Sequence, residues 1–288
     1  MAIILPNTFQ DAVRSRRLLP FVGAGFSKNI DKELPDWSEV IKFAASILDY
    51  DPEILTLQGD YLQIAEYLSI TDHLDELYTA LANRIQSACF SVANSRCHQL
   101  IPRLDVPYIF TTNWDNWLER GFDHEGIPYS KIISHEDFVI PKRYGPEGAA
   151  KPISENRQWR ETTIVKYHGD FENPKSIVFR ETDYFDRLDF EHPLDIKLRS
   201  ELIGRSVLFI GYSFTDPNVR YIWHKLNKVM RRSDIPENPK SFFVTHFNNP
   251  LQIELFHKKG IETIILSPRN IKGDLETLLE QIIELQDS

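Results

Sequence analysis

Leu18-Leu19-Pro20-Phe21-Val22-Gly23-Ala24-Gly25-Phe26-Ser27 is a short apolar run that stops abruptly at two glycines and a serine. Five apolar residues in a row are too few for a buried helix and fit a strand covered on both faces. Glycines directly after such a strand tolerate positive φ and let backbone approach another group with no Cβ between. Backbone N–H groups at a helix start just beyond can cradle a phosphate. The stretch departs from the dinucleotide fingerprint, because Lys28 stands where the third glycine belongs. Read alone, Gly23-Ala24-Gly25 fits a tight strand-to-helix turn as well as it fits a phosphate loop.

Outward from this stretch the same rhythm repeats. Short runs rich in β-branched and aromatic residues occur at 108–111, 164–167, 207–210, 242–244 and 263–266. Helical spacing lies between most of them: Val219, Ile222, Trp223, Leu226 and Met230 line one face of 216–230, and 275–285 repeats the pattern. Strands alternating with helices predict an α/β fold, a Rossmann-like doubly wound parallel sheet. Two stretches break the rhythm. Residues 36–104 hold no convincing strand and read as a helical insertion or small lobe. Residues 121–160 are rich in Pro, Gly and charge and read as a loop-rich excursion. The expectation is a single domain over 1–288 that contains both.

Composition narrows the function. A chain of 288 residues, 42% hydrophobic and 26% charged, can bury a sizeable core. Its net charge of −9 argues against direct binding to duplex DNA, which needs clustered Lys and Arg. Lys225, Lys228, Arg231 and Arg232 read as a solvated helix face. Cys89 and Cys97 lack zinc-module spacing and read as reduced, buried thiols; no metal is expected. The N-terminal residues do not form a signal peptide, and no apolar stretch approaches the roughly 20 residues of a membrane span. These features predict a soluble, cytoplasmic protein with no membrane contact.

Three further loops follow predicted strands. They are Thr111-Thr112-Asn113-Trp114-Asp115, Lys166-Tyr167-His168-Gly169-Asp170, and Gly211-Tyr212-Ser213-Phe214-Thr215-Asp216-Pro217. Ligands of open parallel sheets bind outside the carboxyl ends of the strands, so all four loops can converge on one crevice. Outside that context, Asn113 and Asp115 read as a turn and helix cap, and His168 as a buried structural histidine. Asp216-Pro217 reads as an N-cap followed by proline at the first helical position.

The order GAGFS, TTNWD, HGD, GYSFTDP resembles the sirtuin-like NAD-binding family, whose four motifs appear in that sequence. Two departures stand out. Deacylating members carry a four-cysteine zinc module after the HG motif, whereas FENPKSIVFRETDYFDRL here has no cysteine. Leu34-Pro35-Asp36-Trp37 looks like the family's nicotinamide-pocket stretch, but Ser38 stands where that stretch has arginine. In both respects the chain resembles the zinc-free sirtuin-like proteins of bacterial anti-phage defence.

The resemblance implies NAD as substrate and Asn113 and His168 as the catalytic pair. Asn113 can donate and accept at once, and His168 can serve as general base. Cleaving the ribose–nicotinamide bond passes through an oxocarbenium-like state that the site must orient against water or a ribose hydroxyl. Gly23, Ala24, Gly25, Phe26 and Ser27 would face the pyrophosphate with Thr112 as a supplementary donor. Asp36 belongs to the pocket stretch, Asp115 orients Asn113 or a ribose hydroxyl, and Gly211 and Ser213 approach the adenosine half. The implied activity is NAD glycohydrolysis by a toxic effector of abortive infection. It would be controlled by homo-oligomerisation or by a neighbouring defence ATPase or nuclease. A non-catalytic subunit that binds NAD or ADP-ribose is the alternative, with an NAD-dependent protein deacylase behind it.

Overall fold

The computed structural model describes residues 3–35, 37–54, 61–87, 89–138, 142–145, 158–159, 161–189, 191–212, 219–221, 223–224 and 240–288. Its strands are β1 (Leu18–Val22), β2 (Tyr108–Thr111), β3 (Tyr129–Ile132), β4 (Lys142–Tyr144), β5 (Thr162–Lys166), β6 (Ser206–Ile210), β7 (Ser241–Thr245) and β8 (Ile261–Ile265). They form one sheet in the order β4-β3-β5-β2-β1-β6-β7-β8, parallel throughout except for the β3–β4 pair. The chain starts in the middle of the sheet and builds outward on both sides, the doubly wound plan expected from the sequence. β1 carries Pro20, which has no N–H to give a ladder; pairing with β2 begins one residue later, at Phe21.

Alternate residues of the central strands feed two cores. Leu18 and Val22 face one that collects Phe9 from α1 (Asn7–Arg14) and Leu100 from α6 (Arg96–Leu100). Phe122 from α7 (Trp117–Glu125) and Leu278, Leu279 and Ile282 from α11 (Ile271–Asp287) complete it. Leu19 and Phe21 face the other, with Leu194, Leu198 and Leu202 of α9 (Pro193–Gly204), Phe256 of α10 (Pro250–Lys258), and Val219 and Trp223. Burying both faces requires continuous apolar runs, and β1 and β6 are buried along their whole length.

Residues 37–104 contain no strand among those described. Here α3 (Trp37–Leu48), α4 (Tyr61–Ile70) and α5 (Leu74–Ile85) pack Val40, Ile41, Ile64, Leu68, Leu77 and Leu81 into a core of their own. That core also takes in Ile177 and Phe179, so the segment after the HG motif is stitched to the helices.

The sheet has two strands that the apolar runs do not reveal. β3 lies within 121–160, and all four of its residues are buried, including Ser130 and Lys131. Its lysine conceals it, because a buried cation with partners reads in sequence as a surface residue. β4 is a short, exposed edge strand with no apolar signature. Helical residues at 219–221 and 223–224 match part of the expected 216–230 helix; the remainder, with Lys225, Lys228, Arg231 and Arg232, lies outside the described residues. Cys97 is buried, and burial pushes its thiol up to about 12. Cys89, expected buried, is exposed: it sits in the short connection after α5, not on a helix face. No helix among the described residues is long and apolar enough to cross a membrane.

Candidate active site

The loops that follow β6, β1, β2 and β5 are tied side by side by hydrogen bonds. Gly23 N–H donates to Ile210 O at 2.9 Å and Gly25 N–H to Gly211 O at 2.8 Å. A Cβ on Gly23 would come within 2.6 Å of Gly211 O, and one on Gly25 within 2.9 Å. Gly211 has φ of +62°, and a Cβ there would overlap Phe26 N. The glycines at these three positions are thus required by the contact of the first and fourth loops with each other. The amides of Gly23 and Gly25 already have protein acceptors, and the short helix α2 (Ala24–Ser27) starts directly after Gly23.

The first loop meets the second through side chains. Thr111 Oγ1 donates to Val22 O at 2.9 Å and accepts Asn113 N–H at 3.0 Å. Ser27 Oγ gives its proton to Asp115 Oδ2 at 2.7 Å, so it can only accept from the Asn113 Nδ2 amide, 3.0 Å away. That chain fixes which way the Asn113 carboxamide points. Its Oδ1 is buried and has no hydrogen-bond partner among the described residues. Thr112 beside it is half-buried. Asp115 is buried and also accepts Trp117 N–H at 3.1 Å. Burial pushes its carboxyl up, opposed by the Lys166 ammonium and the Ser27 hydrogen bond.

The second loop meets the third through backbone: Tyr167 N–H donates to Thr111 O at 2.7 Å, and Phe171 N–H to Trp114 O at 3.3 Å. His168 is buried between two aromatic rings. Tyr167 stacks on it at 5.3 Å and 26°, and Tyr184 of α8 (Glu181–Phe185) meets it edge-on at 5.5 Å. Gly169, with φ of +83°, turns the chain so tightly that a Cβ would meet Ser176. Trp114 packs its ring on Tyr78, Phe171 and Phe179, joining the second loop to the helices around α5.

Beneath this pair lies a cluster of buried charges. Lys166, the last residue of β5, donates to the Asp115 carbonyl and lies 3.2 Å from Glu119 Oε1 and 3.1 Å from Asp170 Oδ2. Lys131 of β3 lies 2.7 Å from Glu172, 3.7 Å from Asp170 and 3.9 Å from Glu119. Burial pushes the Glu119 carboxyl up against the pull of Lys166, and the surrounding carboxylates hold the Lys166 ammonium above its usual range despite its burial. A second buried pair stands behind His168. Arg187 grips Asp195 through two nitrogens and donates to the Tyr167 carbonyl at 2.8 Å, while Tyr167 Oη donates to Asp195.

The structure therefore gathers Gly23, Ala24, Gly25, Phe26, Ser27, Thr112, Asn113, Asp115, His168 and Gly211 at the carboxyl edge of four adjacent central strands. Asp36 and Ser213 lie outside the described residues. The sequence reading gave no role to Lys166, Lys131, Glu119, Asp170, Tyr184, Arg187 or Asp195. One signal was available for the lysines: each sits at or near the end of an otherwise apolar segment, Ile164-Val165-Lys166 and Lys131-Ile132-Ile133. Among the described residues, no group of three or more His, Cys, Asp and Glu side chains is arranged to hold a metal ion.

The chain is similar to several known proteins. The NAD(+) hydrolase ThsA of Cytobacillus dafuensis is 26% identical over 227 residues, which is 79% of this chain and 41% of that protein. ThsA of Acinetobacter baumannii (strain 532279) is 23% identical over 277 residues, 91% of this chain and 52% of that protein. Defense-associated sirtuin 2 of Bacillus subtilis is 25% identical over 266 residues, 88% of this chain and 23% of that protein. The chain spans about half the length, or less, of these curated relatives. A solved Sir2 homologue–NAD complex overlays with a TM-score of 0.45 at 9% identity, covering 98% of this chain and 94% of that one. A family model described as SIR2-like domain matches residues 107–264, more than half of the sequence and three of its four loops in full, and the chain belongs to that family.

Proposed function

We propose that this chain cleaves NAD to nicotinamide and ADP-ribose, with Asn113 and His168 as the catalytic residues. The observation that carries the reading is the Asn113 carboxamide. Its nitrogen is committed to Ser27, and its buried oxygen is left with no acceptor role inside the described protein. A buried polar atom without a partner costs on the order of 1–3 kcal/mol, and a ligand hydroxyl or a water donating to Oδ1 removes that cost. A ribose hydroxyl or an attacking water is the group that N-glycoside hydrolysis needs at such a place. Four curated relatives bear the name NAD(+) hydrolase ThsA and a fifth is a defence-associated sirtuin, which supports the same reading.

In this mechanism the C1′–N bond of the nicotinamide riboside breaks and its electron pair leaves with nicotinamide. Asn113 Oδ1 orients the water, and His168 takes the proton as the water oxygen bonds to C1′. Asp115, through Ser27, holds the Asn113 amide in the required sense. The pyrophosphate lies along residues 23–27 near Thr112, and the adenosine half lies toward Gly211. The chain is a single domain over 1–288, with 36–104 as a helical insertion and 121–160 as an excursion that itself contributes β3 and β4 to the sheet. It acts in the cytoplasm as the toxic effector of anti-phage defence, silent until a homo-oligomer forms or a neighbouring ATPase or nuclease engages it.

Purified protein incubated with NAD, with products resolved by chromatography, tests the proposal. Asn113→Ala and His168→Ala are each expected to lower nicotinamide release by on the order of 100-fold or more while the fold persists. Undiminished release in both variants refutes the assigned roles. Tight ADP-ribose binding without turnover, in infected-cell lysate as well as in isolation, identifies a binding subunit instead.

A further inference from the structure

The buried ion cluster under the site has a connectivity that neutralisation alone does not require. Lys166 stands two residues before His168, and its three partners come from both catalytic loops. The Asp115 carbonyl lies two residues after Asn113, Glu119 is in the first turn of the helix that follows, and Asp170 lies two residues after His168. Lys166 and Asp170 have no accessible surface, and Glu119 is 4% exposed. Replacing a buried ion pair with apolar residues of similar volume is often neutral or stabilising, so stability does not by itself explain a lysine here. A tripod of fixed partners does supply geometry: it permits one spacing between the loops that hold Asn113 and His168.

We infer that Lys166 is a positioning residue that locks the Asn113–Asp115 loop to the His168–Asp170 loop and so sets the geometry of the catalytic pair. The inference rests on the NAD-cleavage reading for its activity, though not for its mechanics. The groups facing Lys166 are Asp115 and Glu119 on the second-loop side and Asp170 on the third. Behind them, Lys131 on β3 bridges to Glu172, with Tyr144 of β4 against its ammonium and Asp123 of α7 near it. Two buried lysines thus meet three buried carboxylates, and Lys166 opposes the upward push that burial gives Asp115 and Glu119.

The test uses the intact chain with Lys166→Met, Lys166→Arg and the paired Lys166→Met/Asp170→Asn, which removes one charge of each sign and leaves the cluster balance unchanged. The paired variant is expected to melt near the parent. Its backbone amides at 113–117 and 167–171 are expected to lose exchange protection together. Its kcat for nicotinamide release should drop on the order of 100-fold, the cost of a displacement of about an ångström, with little change in ADP-ribose affinity. Lys166→Met should also move the acid limb of kcat to higher pH, because Asp115 and Glu119 lose the cation that holds them down; Lys166→Arg should return that limb toward the parent. Unchanged exchange in both loops, or loosening of one loop alone, overturns the inference. Should the parent release no nicotinamide in isolation or in infected-cell lysate, the NAD-cleavage reading fails, and the exchange measurement still decides the role of Lys166.

Discussion

His98 carries a residue-scale consequence of packing that the sequence hides. It is fully buried on α6, its Nδ1 is 2.8 Å from Ser95 Oγ, and its ring lies 4.4 Å from that of Phe26 in the first loop. Burial first, and then the Lys272 charge, push its pKa down to about 3. A histidine depressed in the folded state stays neutral while the unfolded chain takes up a proton. Its effect on stability is therefore absent above the unfolded value near 6.5, and stability is lost progressively as pH falls from there toward 3. Between pH 7 and pH 5 this one group should cost about 2 kcal/mol. Urea denaturation at the two pH values checks it: His98→Asn, which keeps a polar atom toward Ser95 and titrates nowhere in this window, should lose about 2 kcal/mol less than the parent over the same step. Equal acid sensitivity in both proteins would show that His98 is not the group responsible. Gly211 illustrates the other kind of hidden cause. A glycine after a strand suggests close approach by a ligand, yet the atoms nearest a Cβ at 211 belong to Gly25 and Phe26. One sequence cannot tell backbone from ligand as the crowding neighbour.

At the scale of elements, most of the strands and the loops that follow them were legible because they depend on apolar runs and on the small residues that end them. The runs at 18–22, 108–111, 164–167, 207–210, 242–244 and 263–266 all fall on strands of the sheet, shifted by at most two residues at their ends. What escaped was built from charge. β3 hides behind Lys131, and Tyr167, the residue before His168, is held by Arg187 and Asp195, two lone charges with nothing in the sequence to mark them as buried partners. Their pairing joins the end of β5 to the start of α9: the Arg187 guanidinium lies 4.1 Å over the Tyr167 ring while binding both the Tyr167 carbonyl and Asp195. Breaking one member of such a buried pair leaves a charge with no counter-ion, at a typical cost of about 3–5 kcal/mol. Asp195→Asn should lower the unfolding free energy by that order in a denaturant titration. Arg187→Met/Asp195→Leu should recover much of it, because neither charge remains. A double variant as unstable as the single one would mean that packing, and not the unpaired charge, carries the cost.

Across the whole molecule, the sheet places four loops in the spatial order fourth, first, second, third, although they follow one another in sequence as first to fourth. This reordering arises because β1 sits between β2 and β6, so the chain winds outward in both directions from its own first strand. A ligand lying along that edge touches segments from residue 23 to residue 211 and draws on contacts separated by most of the chain. Binding should therefore stabilise the global fold and not one loop alone. Ligand that binds only the folded state at 100 times its dissociation constant contributes about 2.7 kcal/mol. For a domain of this size that corresponds to a rise of roughly 4–5 °C in Tm. Differential scanning with ADP-ribose, which lacks the bond to be cleaved, should show a single transition moving upward and further with each tenfold increase in ligand. The same titration on Gly211→Ala, in which the first and fourth loops are forced apart, should show a much smaller shift. A parent transition that does not move at any ADP-ribose concentration would remove this crevice as the binding site. A transition that splits would show that the helical residues 37–104 unfold separately from the sheet.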